Sequence, residues 1–71
     1  MANINSGVIK VVEVIGISKK SFDDAVVQAV KKASQSIKGI TGVEVIKQSA
    51  KVEAGKIVQY KANVKLAFPV K

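Results

Sequence analysis

Residues 8–15 read Val-Ile-Lys-Val-Val-Glu-Val-Ile, β-branched almost throughout, and predict a strand. The period then changes. Phe22, Val26, Ala29, Val30, Ala33 and Ile37 recur at spacings of three and four, one apolar stripe on a helix from about Phe22 to Ile37. Asp24, Gln28, Lys31, Lys32 and Gln35 mark its wet side. Ser21 is the predicted N-cap, with Asp24 three places on in a capping-box-like arrangement. Asp23 and Asp24 also sit where the helix dipole favours negative charge. Lys38 and Gly39 supply the stop, a cation in the last turn and a glycine at C′. Two more strands follow, Val43 to about Glu53 and Ile57 to Phe68, joined by a tight Ala54-Gly55 turn. The last strand alternates cleanly. Val58, Tyr60, Ala62, Val64, Leu66 and Phe68 face one way, and Ile57, Gln59, Lys61, Asn63, Lys65 and Ala67 the other. Pro69 is expected to end the pairing.

The order β-α-β-β with a closing hairpin predicts an α+β protomer, a three-stranded antiparallel sheet packed on one helix. Gly16-Ile17-Ser18-Lys19-Lys20 is expected to be the loop between first strand and helix. One helix covers one face, so the other face should be polar, and only the last strand obeys. In the first strand Val8, Val12 and Val14 oppose Ile9, Val11 and Ile15, and both sets are apolar. In the second, Val43 and Val45 are expected to oppose Ile46, Ala50 and Val52. Each Val or Ile left in water forfeits roughly 1.5–3 kcal/mol of burial. The second face is therefore expected to be covered by further copies of the chain.

Composition reinforces that expectation. A chain of 71 residues is one domain, read here as spanning 1–71. A domain of this size buries only about 60% of its unfolded surface and gains stability from a disulfide, a metal or a partner. The sequence contains neither cysteine nor histidine, which removes disulfides, thiolate sites, the thiol nucleophile and the commonest general base and metal ligand. Twelve lysines against five acids, with no arginine, give a net charge of +7. Apolar runs are far shorter than a membrane span. Residues 1–6 are expected to form a loose polar arm, and Met1-Ala2-Asn3-Ile4-Asn5-Ser6 has no basic or apolar leader region. The expected location is the cytoplasm.

Candidate chemistry is sparse. Serines and lysines have no histidine to activate them, and Glu13, Glu44 and Glu53 are isolated along strands, so no catalytic residue is assigned and no enzyme is expected. Gly16 to Ser21 lacks the spacing of a P-loop, and Asp23 and Asp24 occupy the helix start an anion would use. Gly39-Ile40-Thr41-Gly42 has the GxxG form of a KH loop but joins a helix to a strand; Gly39 is expected to cap the helix and Gly42 to open the strand. Phe22, Tyr60 and Phe68 fall on core faces, which leaves no stacking platform for bases. The net charge keeps a small basic nucleic-acid-associated protein as an alternative, without specific sequence reading. No metal ligand is assigned; a hard-ion site shared between subunits would leave no pattern in one chain.

Val8-Ile9-Lys10-Val11-Val12-Glu13-Val14-Ile15-Gly16-Ile17-Ser18, followed by Ser21-Phe22-Asp23-Asp24-Ala25, resembles the opening strand and helix start of dodecins. Val43-Glu44-Val45-Ile46, the Glu53-Ala54-Gly55 turn, Gln59-Tyr60-Lys61 and Val64-Lys65-Leu66-Ala67-Phe68 are similar to the family's hairpin and closing strand. The resemblance runs from about residue 8 to residue 68. It implies a hollow homododecamer of cubic symmetry that stores flavin (riboflavin, FMN or FAD) rather than a catalyst. In flavin-binding members a tryptophan opening the second strand stacks on the isoalloxazine, and a glutamine on the third hydrogen-bonds it. Here the tryptophan position falls on Gly42 and the glutamine position on Lys61, while the family's glutamate is matched by Glu44. Gly42, Val43, Glu44, Lys47 and Lys61 are thus the candidate ligand-binding residues. Glycine offers no π-face, and lysine donates to a flavin carbonyl but accepts nothing from the imide NH. A weakened or altered flavin site follows. Lys47 and Lys61 would suit an anion, and some dodecins associate with coenzyme A. Twelve subunits at +7 would carry roughly +84 before screening. A structural or anion-binding shell without flavin is the alternative.

Overall fold

The computed structural model describes residues 7–70, so the arm expected over residues 1–6 lies outside it. Strand β1 is Val8–Ser18, helix α1 Phe22–Ala33, strand β2 Gly42–Glu53 and strand β3 Lys56–Val70. The sheet order is β1-β3-β2, and both pairings are antiparallel. The most regular strand is therefore the central one.

The β2–β3 hairpin closes at Ala54 and Gly55, whose φ angles are 51° and 77°. Two positive values in a two-residue loop match the right-handed twist of the flanking strands. The turn pairs Glu53 with Lys56. One bulge then leaves Val58 extra on β3, and a second leaves Ile46 extra on β2. The two cancel, so Glu44 faces Lys65 as it would in an unbroken hairpin. The Ile46 bulge also flips the phase of β2. Ala50 pairs with Tyr60, which puts it on the same face as Val43 and Val45 and not opposite them as alternation alone predicts.

Three boundaries differ from expectation. Gly16, Ile17 and Ser18 belong to β1, because they pair with Ala62, Lys61 and Tyr60. The helix stops at Ala33 rather than Ile37. Gln35 and Ser36 donate to the carbonyls of Lys32 and Ala33 in a tightened last turn. Serines at 34 and 36 compete with the helix backbone and favour that early end. Gly39 has a φ of 81° but lies in the connection, six residues past the helix, and does not cap it. Pro69 does not end β3; it sits opposite Ile9. The Ala67 carbonyl accepts from Thr41 N–H on the β2 side. Residue 69 points to that same side, where β2 has already ended, so its missing N–H breaks no ladder.

The helix covers β1 and β3 and barely touches β2. Its core is Ala25, Ala29, Ala62, Val64 and Leu66, ringed by Val12, Val14, Val26, Val30, Ala33 and Ile40. Ala25, absent from the predicted stripe, is fully buried because α1 lies directly on Gly16. A Cβ at Gly16 would collide with the Ala25 carbonyl and come within 2.9 Å of the Ala29 Cβ. Phe22 meets Tyr60 edge to face, ring centroids 5.0 Å apart. Ser21 caps the helix by accepting from Asp24 N–H at 3.0 Å. The reciprocal half of the capping box is missing. The Asp24 carboxylate instead accepts from the buried Ser18 hydroxyl at 2.6 Å, so Asp24 is a fastener between β1 and α1 and not part of a wet face.

Among the described residues only two large side chains, Leu66 and Val64, are fully buried. The chain exposes 5344 Å², against about 4,250 Å² for a compact monomer of its mass. The face turned away from the helix is apolar and open, with Val11, Ile15 and Ile17 51%, 56% and 48% exposed.

Candidate ligand site on the uncovered sheet face

Cross-strand register orders that face into rows, read β1, β3, β2. Val11, Ala67 and Gly42 form the first row, and Glu13, Lys65 and Glu44 the second. Ile15, Asn63 and Lys47 form the third, and Ile17, Lys61 and Ser49 the fourth. Lys51 opposite Gln59 follows toward the hairpin tip.

The first two rows enclose a depression of about 250 Å³, lined by Val11, Gly42, Val43, Glu44, Lys65 and Ala67. It exists because Gly42 presents no side chain. A Cβ there would meet only the Ala67 Cβ, at an ordinary 3.6 Å, so the position has room for a larger residue. Val11 and Ala67 give the depression apolar walls, Glu44 an acceptor and Lys65 a donor. Tyr60 and Phe68 share the helix-side phase of β3, and Phe22 packs on Tyr60, so no aromatic ring of the described residues borders it. A larger groove of about 460 Å³ runs between β1 and α1 beside Gly16, but none of the five candidate residues lines it.

The structure brings Gly42, Val43 and Glu44 together and does not bring Lys61 to them. Lys61 is six residues along β3 from Ala67, the partner of Gly42, which is about 20 Å at strand rise. Lys47 lies between, opposite Asn63. Val43 pairs with Leu66, so its side chain is directed to the helix side and its backbone borders the depression. Val11 and Lys65 were not singled out by sequence reasoning. Counting outward from the two-residue turn would have placed Lys65 opposite Glu44.

Among the described residues no three carboxylates converge on a point that could hold a metal ion. Lys51–Glu53, at 3.4 Å, is the one ion pair among them, so Glu13, Glu44, Lys47 and Lys65 have no ion-pair partner there. No helix among them is long and apolar enough to cross a membrane.

A small β-α-β-β protomer with an unfinished, largely apolar sheet face defines the class. The Dodecin family profile matches residues 8–71. The calcium dodecin of Mycobacterium tuberculosis is 30% identical over 64 residues, 90% of each chain. A crystal structure of calcium dodecin from that organism, described as a calcium-chelating immunodominant antigen with a novel calcium-binding site, superposes with a TM-score of 0.79. It is 33% identical and covers 92% of this chain and 93% of that one. The dodecin of Streptomyces coelicolor superposes with a TM-score of 0.91 at 29% identity, covering 96% and 97%. The chain belongs to the dodecin family, a family of small-ligand-binding proteins.

Proposed function

We propose that twelve copies of this chain, each a single domain over residues 1–71, close into a hollow homododecamer in the cytoplasm that binds and stores a small ligand without transforming it. The ligand site is built on Gly42, Val43 and Glu44, with Lys47 one row along the same face and Lys61, about 20 Å away within one chain, supplied by a neighbouring copy. One observation carries the reading: the depression at Gly42 has apolar walls and a Glu44–Lys65 polar end, yet no ring to stack on. Flavin, the family's ligand by resemblance, is therefore held weakly. An aromatic stack contributes about 1–3 kcal/mol by analogy with base stacking, or about 5–150-fold in affinity.

The test is quenching of riboflavin fluorescence by the purified protein. Partial quenching that does not saturate at about 1 µM protein is the expected result. Saturation well below that concentration would show an intact flavin site and overturn the reading. A second ligand class is supported by Lys47 and Lys61 lying two rows deep on one face with Asn63 and Ser49 between them. That arrangement suits an anion such as the phosphates of coenzyme A, and equilibrium dialysis with coenzyme A separates it from flavin. Calcium, named for the mycobacterial relative, has no three-carboxylate set among this chain's described residues, so calcium binding here would need carbonyl or water oxygens, or ligands from more than one subunit.

A further inference from the structure

Twelve lysines are spread along the sequence, but the fold sorts them. Lys10 pairs with Phe68 and shares the helix-side phase of β1 with Val12 and Val14. Lys31 and Lys32 stand in the last turn of α1, and Lys38 lies in the connection that leads to Thr41. Thr41 donates its N–H to the carbonyl of Ala67, the residue opposite Val11, so that connection returns to the sheet one row from Lys10. All four lysines are exposed. No carboxylate of the described residues opposes them there. Asp23 is at the other end of α1, about 12 Å from Lys31 at helix rise, and the Asp24 carboxylate is held by the Ser18 hydroxyl. Glu13 and Glu44 stand on the opposite face of the sheet, and Glu53 is at the hairpin tip. The one ion pair among the described residues uses Lys51, so it neutralises none of the four. The C-terminus of α1 offers them only about half a negative charge.

We infer that this helix-side surface binds the phosphate backbone of double-stranded nucleic acid, without reading its sequence, through Lys10, Lys31, Lys32 and Lys38. Like charges gathered this way repel one another, and a ligand with several regularly spaced negative charges relieves that repulsion. The cations are all lysine, point charges that lack the fork with which arginine reads guanine. Phe22 and Tyr60 pack on each other, and Phe68 opposite Lys10 is a single ring, so no row of rings is present for the bases of a single strand. The apolar face of α1 is spent on the sheet, so the helix has nothing to insert into a lipid surface. A duplex backbone asks for neither rings nor an apolar face. Each lysine that meets a phosphate releases a counterion, so four contacts give a slope of log K against log salt of about −3.6. None of the ligand-site residues on the uncovered face takes part.

The test is fluorescence anisotropy of a short labelled duplex titrated with the full chain between about 0.05 and 0.2 M salt. The parent is expected to bind two duplexes of unrelated sequence within about threefold of each other, with a slope of about −3 to −4. Lys31→Gln/Lys38→Gln removes two contacts, and is expected to reduce the slope by about 2 and to weaken binding at about 0.1 M salt at least tenfold. Lys51→Gln/Lys56→Gln removes the same net charge at the hairpin tip, and is expected to stay within about twofold of the parent. All four positions are exposed, so both variants are expected to keep the fold, which far-ultraviolet circular dichroism checks. Equal losses in the two variants would make the effect one of net charge and overturn the surface. So would a parent that leaves the duplex unbound at about 0.05 M salt, that prefers a single strand of the same length, or that binds phosphatidylserine vesicles in place of the duplex.

Discussion

Gly42→Trp is the most informative substitution. Gly42 pairs with Ala67 on the uncovered face, and its Cβ direction is open apart from the Ala67 Cβ at 3.6 Å. An indole there takes the place of the solvent in the 250 Å³ depression and lies against Val11. The backbone already has extended geometry at the start of β2, so strain does not offset the gain. Stacking contributes about 1–3 kcal/mol, which predicts riboflavin binding tighter by about 5–150-fold. The assay is a riboflavin fluorescence titration of parent and variant at one salt concentration. Gly42→Leu serves as control: it fills the depression without a π-face and is expected to gain markedly less. A tryptophan variant of unchanged particle mass that binds no tighter than the parent would refute the reasoning, because the missing ring would not be what weakens the site.

Other substitutions probe the frame and the second position. Lys61→Gln restores an acceptor for an imide NH, and combined with Gly42→Trp it is expected to tighten flavin binding beyond either change alone, read in the same titration. Gly16→Ala drives a methyl into the Ala25 carbonyl and is expected to cost about 1–3 kcal/mol or more, seen as a lower urea midpoint at fixed protein concentration. Ala54→Asn relieves a non-glycine residue at φ 51° and is expected to stabilise by about 0.5–1 kcal/mol in the same experiment. Ser21→Ala removes the helix cap and should cost about 1 kcal/mol.

The fold was legible wherever one physical signal acted alone. The β3 alternation located Ala62, Val64 and Leu66, the heart of the core, because a central strand with one covered face must alternate. Both-face apolarity in β1 was legible too, and Val11, Ile15 and Ile17 are exposed in the single chain. Signals failed where two effects competed. Glycine at 16 reads as loop punctuation, yet it is needed for the close approach of α1. A bulge at Ile46 left no trace in the pattern and reversed the face of Ala50. Pro69 reads as a strand end until the neighbouring strand is known to have stopped first. Of the candidate site, Gly42 and Glu44 came only through family resemblance, and the distance to Lys61 needed the register. Nothing in one chain's spacing tells whether residues six places apart on a strand serve one ligand from two copies.

Native mass spectrometry of the purified particle addresses the central claim most directly, because one mass reports both copy number and cargo. Twelve chains of 7.5 kDa predict a particle of about 90 kDa plus whatever small ligand it retains. A 7.5 kDa species at micromolar concentration would contradict the account, since the uncovered face of the sheet would then stand in water.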